Sequence, residues 1–138
     1  MNHYLVELYT PNTAWKALSK EARQQFLSHI GTAMQGLSEL GIEVLTLTET
    51  SSGMDQNTNH QFLGIWRFPT SQARDALLAG IQSSGWYGYF DHVNAAGLKG
   101  DFNQHFKDLI NLMLCNLVFH IKLVLPKRLN LYLKTVPY

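Results

Sequence analysis

Cysteine occurs once in the 138 residues, as Cys115. A lone thiol makes no intramolecular disulfide and no CxxC metal or redox motif, so a reducing cytoplasm is the expected compartment. Charge is sparse as well: 11 basic and 10 acidic residues nearly cancel and are spread along the chain. No basic field marks nucleic acid as a partner, and no acidic tail marks a basic one. Long apolar runs are also missing. The most apolar stretch, 110 to 125, is broken by Asn111, Asn116, His120 and Lys122, and its 16 residues fall short of the roughly 20 that span a bilayer. A membrane partner is therefore not expected. The opening MNHYLVELYT has neither the basic nor the apolar region of an export signal. There is no GxSxG, and Gly97 and Gly100 lack the spacing of a phosphate loop.

What is present is periodicity. Residues 3 to 10 alternate, with Tyr4, Val6 and Leu8 on one face and His3, Leu5, Glu7 and Tyr9 on the other, the signature of a strand. Ser19 is placed to cap a helix in which Ala22, Phe26, Ile30, Ala33, Leu37 and Leu40 recur up to Gly41. The β-branched run 42 to 50 predicts a second strand, and His60 to Phe68, closed by Pro69, a third. A second long helix from Thr70 or Ser71 carries Ala73, Leu77 and Ile81 and stops at Gly85, and Trp86 to Val93 predicts a fourth strand.

This βαββαβ order predicts a ferredoxin-like α+β fold with an antiparallel sheet ordered 4-1-3-2 and both helices on one face. The other face is not polar. Strand three sets Phe62, Trp66 and Phe68 against Leu63 and Ile65. Taking the Phe62, Trp66 and Phe68 face as the one the helices leave bare predicts a sheet-to-sheet homodimer. The rival cover is the apolar extension 106 to 138, read as a helix to about residue 115 followed by extended chain, with a C-terminal hairpin or one apolar helix from Asp101 to Leu125 as the alternatives. The expected division is thus a domain over 1 to 105 and an extension over 106 to 138.

Three segments, HYLVELYTP, FLGIWRFP and GWYGYFDHVNAAG, carry a resemblance of residues 1 to about 105 to the dimeric α+β barrel superfamily. Within it the chain is most similar to a group of short bacterial proteins without an assigned function. The superfamily includes cofactor-free monooxygenases, polyketide cyclases, lactone isomerases and haem-degrading enzymes, and fold alone does not choose among them. Haem-degrading members place a histidine on the second long helix. Residues 70 to 84 contain none here, so the resemblance implies no haem, and no cofactor is expected.

Candidate chemistry lies on the Leu5, Glu7 and Tyr9 face, expected opposite the helices. Glu7 at the centre of the sheet is a candidate general acid or base if apolar neighbours desolvate it; the alternative is an ion pair with Arg67. His92, expected to approach His3, is the second proton-transfer candidate; the alternative is a structural histidine beside Asn94. His3, His60 and His92 show no ligand spacing, so no metal site is expected. Tyr9, Phe62, Trp66, Tyr87 and Tyr89 would suit a flat aromatic or polyketide-like ligand, or would serve as core. Two functions follow. One is a small-molecule binding protein or cofactor-independent enzyme using Glu7 and His92; the other is a non-catalytic dimeric interaction protein.

Overall fold

The computed structural model describes residues 1–112, and the alternatives for the extension beyond that point, Cys115 included, lie outside the described residues. The described residues fall into two units, Met1–Lys99 and the segment from Gly100 onward. The first contains β1 (His3–Pro11), α1 (Thr13–Ala17), α2 (Lys20–Met34), β2 (Glu43–Glu49), β3 (Phe62–Phe68), α3 (Ser71–Ser83) and β4 (Phe90–Leu98). The sheet order is β2-β3-β1-β4 with every neighbouring pair antiparallel, as the ferredoxin-like reading requires. In the second unit, α4 (Phe102–Ile110) starts at Asp101, whose carboxylate accepts the Gln104 amide at 2.9 Å. No helix of the described residues is long and apolar enough to cross a membrane.

Helix starts follow local chemistry. Ser19 Oγ accepts from the Ala22 amide and Thr70 Oγ1 from the Ala73 amide, each at 3.1 Å, so both long helices begin on the expected caps. The end of α2 differs from expectation. Its apolar spacing runs on to Leu40, but the helix stops at Met34, and Gly36 (φ 87°) and Gly41 (φ 75°) enclose a separate 3₁₀ turn, Leu37–Leu40. Both glycines adopt the left-handed conformation that side chains resist, and a Cβ on Gly41 would also meet Pro69 Cγ at 3.0 Å. The turn delivers Leu37 and Ile42 to the core.

The fourth strand starts later than expected. Gly85 (φ 84°) ends α3, and Trp86–Gly88 form a second 3₁₀ turn before β4 begins at Phe90. Aromatic residues in a row suggest a strand, yet here they close a corner: Trp86 and Tyr89 pack against Phe26 of α2. Asn12 ties the end of β1 to this corner through its amide to Tyr89 O and its Nδ2 to Gly88 O, both 2.9 Å.

The largest correction concerns the two faces. Leu5, Trp66 and Phe68 are buried with Ile42 and Leu77 and are packed by Met34, Leu37, Ala73 and Ile81, so α2 and α3 cover this face rather than leaving it bare. Phe68 is 0% exposed. The set facing away is Tyr4, Val6 and Leu8 with Leu63 and Ile65, joined in register by Val93, which is 55% exposed. Alternation sorts the side chains into the two sets observed, and the helices cover the set opposite to the one expected.

Candidate functional site

Between the covered face and the helices lies a cavity of about 270 Å³. β1 contributes Glu7 and Tyr9, β3 contributes Trp66, and Ile42 and Leu47 come from β2 and its approach; α2 and α3 add an aliphatic wall that includes Ile30, Met34, Leu77 and Ile81. Trp86 closes one end. The size sits near the lower edge of small-molecule sites, roughly 300 Å³ and upward.

Glu7 is 4% exposed although it is charged in water. Its Oε2 accepts a 2.9 Å hydrogen bond from Trp66 Nε1, while Oε1 is buried with no partner among the described residues. Burial raises its pKa above the ordinary carboxylate value, and the Trp66 hydrogen bond offsets only part of that. Arg67 does not neutralise it. Alternation sends Arg67 to the opposite face, where it pairs with Glu43. Gly64 stands directly opposite Glu7 in the β1 and β3 ladder, and a Cβ there would meet Glu7 Oε2 at 3.2 Å and Trp66 Nε1 at 3.3 Å. Room for the acid and the indole thus comes from a missing side chain.

Tyr9 is the second titratable group among the described lining residues, its phenol pushed up by burial and by the Glu7 charge. Its ring stacks between Phe62 at 5.5 Å and His92 at 4.9 Å. His92 stands opposite Tyr9 in the ladder, whereas His3 is opposite Leu98 at the far end, so the expected approach of His92 to His3 is not what the register produces. His60 is the histidine whose charge acts on His92; its Nδ1 is 3.1 Å from Thr10 Oγ1. The His92 ring engages at both nitrogens. Trp86 Nε1 donates to its Nε2 at 2.6 Å, and its Nδ1 lies 3.2 Å from Asn94 Oδ1, which fits a neutral ring protonated on Nδ1. Burial lowers its pKa in agreement.

Of the aromatic candidates, Tyr9 and Trp66 line the cavity. Phe62 supports Tyr9 from behind, Tyr89 packs on Trp15 and Phe26, and the Tyr87 hydroxyl accepts from Asn94 Nδ2 at 3.3 Å. Sequence reasoning missed Trp86, Met34 and Ile81 as wall residues. The helix periodicity marked Ile81 as inward-facing, but nothing local distinguishes packed core from cavity wall.

No cluster of three or more His, Cys, Asp or Glu able to hold a metal occurs among the described residues. α3, the second long helix, contains no histidine, and both nitrogens of His92 are engaged, so neither offers a free imidazole to a haem iron.

No curated protein matches the sequence. Among solved structures, two substitution variants of the chlorite dismutase of Candidatus Nitrospira defluvii share the fold. One aligns with a TM-score of 0.60 at 16% identity, over 77% of this chain and 44% of that one; the other with 0.58 at 11%, over 72% and 40%. The chain therefore spans less than half the length of these proteins, and likeness at such identity establishes the fold alone. At the level of sequence, residues 2–112 match a family of unknown function, DUF6616, and the chain belongs to that family.

Proposed function

We propose that this protein binds a flat, largely apolar small molecule, of aromatic or polyketide-like type, in the cavity between sheet and helices, with Glu7 as the group that orients the ligand and exchanges a proton with it. One observation carries the reading: a carboxyl group buried at the centre of the sheet, in an apolar cavity, with one oxygen unpartnered. An unsatisfied buried polar atom costs about 1–3 kcal/mol, and a ligand that bonds to it removes that cost. A raised carboxyl pKa also brings the proton closer to the range in which an acid or base works without a cofactor. His92 serves this site indirectly, by holding the Trp86 indole in place. The fold neighbours are named for chlorite, an oxyanion, and the described lining residues include no Lys, Arg or His to receive an anion. Apolar ligands suit it better.

The reading is tested with 2-ethylnaphthalene, followed by quenching of tryptophan fluorescence, since Trp66 and Trp86 both line the cavity. The wild type is expected to bind. Ile81→Trp, which fills the wall, is expected to lose at least about tenfold in affinity while keeping the wild-type circular dichroism. Equal binding by a folded Ile81→Trp protein would place the ligand elsewhere and overturn the reading.

The open face supports a second element of the proposal, a homodimer of the α+β barrel type. Tyr4, Val6, Leu8, Leu63, Ile65 and Val93 form an apolar set across three strands on the side away from α2 and α3, and pairing two such faces buries both. Light scattering is expected to report a dimer for the wild type and a monomer for Ile65→Lys. A monomeric wild type sinks this element.

A further inference from the structure

We infer that the ligand of this cavity is an uncharged molecule bearing a carbonyl oxygen on an otherwise apolar body, and that Glu7 holds it as a hydrogen-bond donor; the inference rests on the ligand reading above and narrows it. A neutral Glu7 follows from its surroundings, since no cation stands among the described lining residues to balance a buried carboxylate, and the hydrogen-bond geometry then places the proton. A carboxylic acid offers one carbonyl oxygen that accepts and one hydroxyl that donates. Trp66 Nε1 can only donate, and it donates to Oε2. The carbonyl oxygen of an acid is its stronger acceptor, so in the neutral acid Oε2 takes the Trp66 bond and the hydroxyl falls on Oε1, buried with no partner among the described residues. A donor in that state needs an acceptor. The terminal torsion of a glutamate is broad, so a modest turn of the carboxyl presents Oε1 to a ligand lying against Tyr9 and Trp66.

The surroundings select against charge of either sign. The lining contributions from α2, α3, β2 and both 3₁₀ turns are aliphatic side chains, Gly80, Ser84 and Trp86, and Tyr9 is the one titratable group beside Glu7 among the described lining residues. Ser84 is already occupied, its hydroxyl donating to Ile81 O at 2.6 Å and accepting the Trp86 amide at 3.2 Å. A carboxylate or phosphate would meet no cation there. An ammonium would require an ionised Glu7, and no second anion stands among the described lining residues to share the cost of burying that charge. The raised Glu7 pKa agrees with a neutral acid. Gly64 keeps the arrangement specific, because any side chain there would press on both Glu7 Oε2 and Trp66 Nε1.

Four naphthalenes of similar shape separate the outcomes: 2-acetylnaphthalene, 2-ethylnaphthalene, 2-naphthoate and protonated 2-naphthylmethylamine. The ketone is expected to bind roughly tenfold more tightly than the ethyl compound, the scale of one hydrogen bond to a buried group, and more tightly than either ion. Glu7→Gln keeps this preference, because its amide oxygen accepts from Trp66 and its NH₂ donates in place of the hydroxyl. Glu7→Leu loses the preference but still binds 2-ethylnaphthalene. Raising the pH through the Glu7 pKa weakens ketone binding by the wild type and leaves Glu7→Gln unchanged. If the ammonium binds most tightly, or the ketone and ethyl compounds bind alike, Glu7 is not a donor and this inference falls while the ligand reading stands. If none of the four binds, the ligand reading falls and takes the inference with it.

Discussion

The covered face of the sheet has two ends built from similar residue types and packed in opposite ways. Around His92 the space is filled: Phe90 stacks on Trp86 at 4.0 Å, Trp15 lies against Phe90 at 4.8 Å, and Tyr9 stacks on His92. Around Glu7, two residues along β1 from Tyr9, the space is hollow. The polar groups follow the packing. His92 has partners at both nitrogens, whereas Glu7 has one oxygen paired and one not. A histidine in a strand looked as promising as a glutamate when only residue types were known. Geometry separates them, because a group whose hydrogen bonds are already made supports a wall, and a group with one left over can meet a ligand.

That contrast can be broken most forcefully at the filled end. Phe90 is buried and packs on three aromatic neighbours in the described structure, Tyr9, Trp15 and Trp86. Phe90→Ala is expected to cost about 3–5 kcal/mol, measured by chemical denaturation. A loss below about 1 kcal/mol would mean the end collapses around the gap and is not rigidly packed.

A smaller effect sharpens the comparison through pH, because the two ends respond with opposite sign. Glu7 holds its proton more tightly folded than unfolded, so its contribution is full below the ordinary 4.5 and is lost as pH rises through the folded value. His92 holds its proton less tightly folded, so its contribution is present above the ordinary 6.5 and is lost as pH falls through the folded value. Denaturation curves across this range should show Glu7→Gln gaining on the wild type as pH rises above 4.5. For His92→Gln, the stability gap to the wild type should narrow as pH falls below 6.5. Parallel slopes for wild type and Glu7→Gln would show that the carboxyl is ionised and solvated after all.

Much of the architecture was legible in the residues. Both long-helix caps, Pro69 as a stop and the strand order follow from local chemistry and from the limited ways of connecting such elements. Boundaries failed where a turn interrupted a pattern that the residue types continued: at Gly36 within the α2 periodicity, and at Trp86–Gly88, where β4 was expected to start. At the site, Glu7 was visible as a carboxylate flanked on its own face by Leu5 and Tyr9, while the His92 approach to His3 misplaced the register by most of a strand.

By itself, then, the sequence determined which side chains share a face, because alternation has a period of two and needs no partner to be read. It could not say which face the helices cover, since both sets are apolar and the choice depends on how α2 and α3 cross back over a twisted sheet. Nor could it show that Glu7 is a lone acid. That depends on Trp66 and Gly64, which lie some sixty residues away in the chain and reach Glu7 only through the β1 and β3 register, and on Arg67 being turned to the other side. Tertiary structure set Glu7 apart by bringing one donor to it, placing no cation among the described residues that line its cavity, and leaving a space where a side chain would otherwise stand.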